Sequence, residues 1–249
     1  MQQLMGYKKK EKQTISSRLT TLRPAKRKAC MKLIPIAFSI KLRFPPVYCQ
    51  HWGDCTANAV LACDDMLFHD NPEKWVPSTV FLYYNCKASD HDLKVDDGSC
   101  VETALKNEKK FGACNASIWP NDTQWNLKPS KAAYANGIKG KRIKKWYILK
   151  NMKQLKQALA SGYPIAAAVA WAFKNYDPET FIMNSPTDRE IKKAESGHAI
   201  VIVGYNDATQ LIEFRNSWSD QWGNDGYAYM TYETFLRVIW WDDTYAVIG

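Results

Sequence analysis

The chain has 249 residues, 46% apolar and 13% aromatic, which suits one large domain or two small lobes sharing a cleft. Its formal charge is +9, but residues 1–43 hold twelve lysines and arginines against one acid, while the remainder holds 22 against 24, so the folded body is near neutral. No run of 18 apolar residues occurs, which excludes a transmembrane helix, and none of the seven cysteines forms a Cys-x-x-Cys pair, which leaves a zinc site with little support.

Residues 1–43 read as a basic, weakly patterned extension. Lys8-Lys9-Lys10 and Lys26-Arg27-Lys28 suit contact with nucleic acid or an anionic membrane, or a nuclear import signal; a solvated extension is the plainer reading. No secretory signal is recognisable, because the longest apolar stretch, Leu33–Ile40, is short and interrupted by Pro35. An intracellular, reducing setting follows, with most cysteines expected as thiols and the sequons at Asn115 and Asn121 unused.

Phe44-Pro45-Pro46-Val47 marks a boundary, since paired prolines force an extended entry. After Gly53-Asp54 the spacing of Ala59, Val60, Cys63, Met66 and Leu67 predicts a helix that begins at Cys55, with Asp54 as its N-cap. Further helices are predicted over 77–85, over 99–111 with Gly112 as the stop, and over 152–161. Residues 115–137 read as loop, and the Lys139–Lys145 cluster around Ile143 and Trp146 as an edge strand. Strands are predicted at Pro164–Trp171, His198–Tyr205, Leu211–Arg215 and Tyr227–Thr231. Helices thus dominate to about residue 160 and strands thereafter, an α+β layout in which a helical lobe packs against a β lobe.

Three segments carry chemistry. In Gln50-His51-Trp52-Gly53-Asp54-Cys55, a cysteine in the first turn of a helix sits where unpaired N–H groups and the helix dipole favour the nucleophilic thiolate. An upstream glutamine can donate an amide N–H to an oxyanion. Taken alone, Cys55 reads equally well as a buried structural residue. In Ser196-Gly197-His198, a histidine leads a strongly apolar strand, where a lone histidine is more often structural. In Arg215-Asn216-Ser217-Trp218…Trp222-Gly223…Gly226-Tyr227, Asn216 ends a strand and can accept the histidine N–H, while Trp218 can cover that bond from water. Together, the chain order Gln, Cys, His, Asn is far more specific than any one segment.

On these residues the sequence resembles the papain-like (C1 family) cysteine peptidases, especially a bacterial and viral cathepsin-like branch. The matching stretches are Pro45–Ala59, Asp97–Leu105, Ser117–Pro120, Gly162–Trp171, Gly197–Tyr205 and Phe214–Tyr232, within residues 44–235. The resemblance implies a two-lobe fold with the cleft between a mainly helical lobe, about 44–160, and an antiparallel β-barrel-like lobe, about 161–249. It implies Cys55 as nucleophile, His198 as general base and then acid, Asn216 as its orienter, Gln50 as oxyanion donor, Trp218 as support, and Gly98 in the substrate groove. The resting state it implies is a Cys55 thiolate paired with a His198 imidazolium. No metal or organic cofactor is required, substrates are proteins or peptides, and a monomer is expected.

Three features depart from the family. Asp54 precedes the nucleophile where a small residue is usual, the Gln50-to-Cys55 spacing of five is one shorter, and residues 1–43 lack the helical motif of secreted prosegments. The extension is therefore either a short occluding propeptide, as in a zymogen, or a basic tether. A competing reading is a catalytically silent papain-fold binding or structural protein held to nucleic acid by that tail, for instance in a virus particle. Exopeptidase or transpeptidase action would use the same acyl-enzyme chemistry. His51 is a lesser candidate for tuning the site.

Overall fold

Residues 7–8, 34–68, 75–194 and 197–249 are described by a computed structural model. In chain order the elements are β1 (Ala37–Ser39), α1 (Cys55–Phe68), α2 (Thr79–Ser89), α3 (Val101–Phe111), α4 (Lys131–Lys139), β2 (Lys145–Ile148), α5 (Met152–Ala160), β3 (Ile165–Ala170), α6 (Asp188–Lys193), β4 (Gly197–Asn206), β5 (Leu211–Arg215), β6 (Tyr227–Thr231), α7 (Tyr232–Val238) and β7 (Ile239–Ile248). Of the two basic runs on which the nucleic-acid reading rests, Lys8 is described, while Lys9, Lys10 and Lys26-Arg27-Lys28 lie outside the described residues.

α1 is buried from Cys55 through Met66, so its small and apolar residues face protein on every side. It packs against α2 and α3 in the helical lobe and against β4 of the sheet. α3 ends at Gly112, whose φ of 73° is the left-handed conformation glycine tolerates. A Cβ at Gly112 would lie 2.0 Å from the Gly137 carbonyl oxygen. Gly112→Ala is therefore expected to lower the unfolding free energy by about 2–5 kcal/mol, from left-handed strain plus overpacking. Urea unfolding of the two chains checks this; coincident midpoints would contradict it.

The second lobe is one antiparallel sheet of order β2-β7-β3-β4-β5-β6, with β1 paired to the far end of β4. β4 is central and buried over nine of its ten residues, which matches its continuous apolar run. Residues 34–43, placed by sequence in the basic extension, thus include a strand of this sheet and the buried Ile40.

Several expectations need correction. Residues 131–139 form a helix rather than loop: Ser130 caps it by accepting from the Ala133 N–H, and Gly137 is admitted because Phe111 and Phe81 close over it. The predicted edge strand begins only at Lys145; among the described residues β2 is an edge, paired to β7 alone. α6, α7 and β7 were not predicted. The six described cysteines form no disulfide, and Cys30 lies outside the described residues.

Candidate active site

His198 is the second residue of β4, and Val169 of β3 lies directly opposite it. β5 flanks β4 on the other side with Val201 opposite Arg215, so continuing that register brings residues 216–218 alongside 198–200. Asn216 Oδ1 lies 2.7 Å from His198 Nε2. The same oxygen accepts the Ser217 backbone N–H at 2.9 Å, which identifies it as the carbonyl end of the carboxamide. A carbonyl oxygen only accepts, so Nε2 carries the proton and Nδ1 is left as the basic nitrogen. Among the described residues Nδ1 meets no hydrogen-bond partner.

Aromatic rings wall the imidazole. Trp218 stacks on it with centroids 4.9 Å apart and planes at 28°, and Trp171, just beyond β3, meets it edge-on at 4.8 Å. Burial pushes the His198 pKa down to about 4, opposed by the hydrogen bond to Asn216. The cover by Trp218 was expected; Trp171 was legible only as a strand-end aromatic.

Four consecutive residues each hold part of the site. Buried Arg215 donates to the carbonyls of Pro45 (2.6 Å) and Pro46 (2.7 Å) and to the Tyr227 hydroxyl (3.1 Å), fixing the diproline entry. Asn216 holds His198. Ser217 donates its hydroxyl to Gln50 Oε1 at 2.6 Å, and its carbonyl accepts the Gln50 backbone N–H at 2.8 Å. Trp218 pairs with Cys49 through the main chain and stacks on His198. The Gln50 carboxamide is thereby oriented, with Nε2 turned from Ser217 and donating to the Trp52 carbonyl at 3.0 Å.

The short Gln50–Cys55 loop is braced from the helical lobe. Asp96 accepts the Gly53 N–H through both oxygens (3.0 and 3.1 Å) and the Tyr83 hydroxyl at 2.5 Å. Tyr83 in turn accepts the Gly98 N–H at 3.1 Å, so one carboxylate ties the nucleophile loop to the predicted groove residue. Nothing in the pattern around Asp96 singled it out. Cys55 opens α1 and is fully buried, whereas His51 is exposed in the loop.

Asp54 stands at the start of α1 as expected, but without a side-chain cap bond. Its main-chain carbonyl accepts the Asn58 N–H at 2.9 Å and so starts α1, but among the described residues neither carboxyl oxygen finds a partner within hydrogen-bonding geometry. Burial raises its pKa to about 7, and the Thr79 side chain and the backbone near Trp52 and Asp54 only partly offset this. Below that pH the group is a neutral acid.

Deeper in the helical lobe, burial also raises the pKa values of Asp64 on α1 and Glu108 on α3, whose carboxyls interact. These acids stay protonated in the native chain at pH values where the unfolded chain has lost its protons. Native protein then binds more protons than unfolded, and stability falls as pH rises. His198 has the opposite sign, but its slope is confined to pH values from about 4 to its ordinary range near 6.5. Between pH 6.5 and 8 the acids act alone, so unfolding free energy is expected to drop by about 2 kcal/mol for each proton held across that interval. Urea titrations at the two pH values test this, and Glu108→Gln should flatten the slope. Stability that rises across the interval would contradict it.

No helix of the described residues is long and apolar enough to cross a membrane, and among them no cluster of histidine, cysteine and acidic residues is arranged to hold a metal ion. The two-lobe α+β fold, a helix opening with a buried cysteine and an asparagine-held histidine on the facing sheet define a candidate thiol-dependent site.

Residues 82–238 match the family model of the papain family cysteine proteases, a span that includes His198 and Asn216 and begins downstream of Cys55. The chain belongs to the papain family of cysteine proteases. It is 33% identical over 196 residues to a peptidase C1-like protein of Acanthamoeba polyphaga mimivirus, covering 73% of this chain and 62% of that protein. It is 32% identical over 97 residues to Peptidase 1 of Dermatophagoides pteronyssinus, covering 36% of this chain and 28% of that one. Xylellain, a cysteine protease from Xylella fastidiosa, superposes with a TM-score of 0.78 at 26% identity, over 98% of this chain and 95% of that one. Digestive procathepsin L 3 of Tenebrio molitor shares the fold, with a TM-score of 0.65 at 14% identity over 88% of this chain and 72% of that one.

Proposed function

We propose that the chain is a cysteine endopeptidase with Cys55 as nucleophile, His198 as proton carrier, Asn216 as orienter and Gln50 as oxyanion donor. The observation that carries this reading is the Asn216–His198 hydrogen bond, because it assigns the Nε2 proton and makes Nδ1 the acceptor, on a strand packed against the helix that Cys55 opens. His198 Nδ1 takes the thiol proton as sulfur attacks a peptide carbonyl. The oxyanion is held by Gln50 Nε2–H and the Cys55 backbone N–H. His198 returns the proton to the leaving amine, and a water deprotonated by the same nitrogen releases the acyl group. Burial opposes the charged imidazolium of His198 in the covered site, and the N-terminus of α1 favours the Cys55 thiolate that the proton transfer produces.

We read the N-terminal extension as an occluding segment rather than a tether, since Tyr7 and Lys8 bridge Ser99 in the helical lobe and Gly197, the neighbour of His198. An internally quenched peptide blocked at both ends, offered to the Tyr7→Ala chain so that the occluding segment does not mask the site, tests the endopeptidase reading. Cleavage that disappears in Cys55→Ala is the expected result. No cleavage by a chain that retains nucleic acid would favour the silent binding protein, and trimming of only unblocked peptides would favour an exopeptidase.

A further inference from the structure

Tyr7 is held as a ligand would be. It forms a parallel bridge with Ser99 and an antiparallel one with Gly197, and the Lys8 N–H donates to the Ser99 carbonyl at 3.0 Å. Main-chain pairing to the rims of a cleft is how extended peptides are bound. Its side chain is 4% exposed and fills a pocket walled by Trp240, whose ring centroid is 4.9 Å away. Gly197 makes the room: a Cβ there would lie 2.5 Å from Tyr7 Cδ1 and 2.4 Å from Trp240.

The floor of the pocket is polar. The register of β7 against β3 jumps from Thr244 to Trp240 between Ala167 and Ala168, so Trp241–Asp243 bulge from the ladder. Asp243, fully buried, is aimed at the start of α3, where it accepts the N–H groups of Val101 (2.8 Å) and Glu102 (3.1 Å). The Tyr7 hydroxyl donates to the same carboxylate at 2.9 Å. Burial and the neighbouring Asp243 hold the phenol protonated, so it is a donor throughout the ordinary pH range. Outside the pocket, Lys8 lies over Asp92 (3.1 Å) and Asp97 (3.2 Å), acids that also hold the buried Lys87.

We propose that this pocket is a specificity subsite that selects a tyrosine side chain of a peptide substrate over phenylalanine through Asp243, and that Tyr7 is its built-in occupant. For turnover this rests on the endopeptidase reading; for binding it does not. Phenylalanine fits the same aromatic walls but offers the carboxylate no donor. A hydrogen bond to a charged group separates the two by roughly ten- to hundred-fold.

The test uses the full chain carrying Tyr7→Ala, with peptides that are identical except for Tyr, Phe or Arg at one scanned position. The expected result is a kcat/KM for one Tyr peptide about 10–100 times that of its Phe partner, with the same preference in binding to the Tyr7→Ala, Cys55→Ala chain. Tyr7→Phe in the otherwise unaltered chain removes only the hydroxyl and should speed thiol-probe labelling of Cys55 by a similar factor. Equal binding and turnover of Tyr and Phe peptides, or an Arg peptide preferred over both, overturns the subsite. Selective binding without any hydrolysis would instead leave the subsite standing and sink the endopeptidase reading.

Discussion

His198→Ala is expected to reduce kcat/KM by on the order of a million-fold, close to the loss in Cys55→Ala, because nucleophile and base act as one unit. The residual rate over water would come from the oxyanion donors and substrate binding alone. The geometry makes the prediction specific: the only basic nitrogen of the ring is Nδ1, since Nε2 is committed to Asn216. The double variant should therefore be no slower than either single one. Steady-state kinetics on a quenched peptide checks this, in the unaltered chain or with Tyr7→Ala to open the cleft. A His198→Ala chain that keeps more than a few percent of activity would show that another group moves the proton.

Gln50→Ala is expected to lower kcat by roughly 10²–10³ with a smaller change in KM, the signature of a donor used mainly in the transition state. Because the Ser217 hydroxyl orients the carboxamide at 2.6 Å, Ser217→Ala should reproduce part of that loss although Ser217 touches no substrate. Ser217→Thr, which keeps the hydroxyl, should restore most of it. A Gln50→Ala chain with unchanged kcat would mean that the short loop carries Gln50 out of reach of the oxyanion. The brace from Asp96 to Gly53 argues that the loop is held in place instead.

Much of this was legible in the sequence because it is written at short range. The run after Asp54 is apolar and rich in small residues over a helical length, and α1 begins at Cys55 as that pattern requires. β3, β4, β5 and β6 appear within a residue or two of their predicted limits, since each is a continuous or alternating apolar segment bounded by turn residues. The elements that escaped have weak local signals. α4 hides behind Pro129, Asn136 and Gly137; β7 carries Asp242 and Asp243 in its middle, which reads as a turn until the bulge and the N-terminus of α3 account for them. β1 has only three residues and depends wholly on β4.

The candidate site divides the same way. Cys55, His198, Asn216 and Gln50 are candidates from the sequence alone because each stands in a recognisable segment. Trp171, Ser217, Asp96, Tyr7 and Asp243 are not, because their roles exist only through partners far along the chain, as in the Tyr7–Asp243 pair. The state of Asp54 escapes the sequence for a related reason. Its position predicts a cap, but burial decides its protonation, and burial is a property of the tertiary fold.

The most direct measurement is reaction of the Tyr7→Ala chain, whose cleft is open, with an epoxide thiol probe, with the adduct mapped by tandem mass spectrometry. Rapid labelling of Cys55, slow labelling of the exposed Cys49, and loss of the Cys55 adduct on His198→Ala with Cys49 unaffected are the expected results. Labelling that falls on Cys49 alone, or labelling of Cys55 that is indifferent to His198, would contradict the roles given to Cys55 and His198.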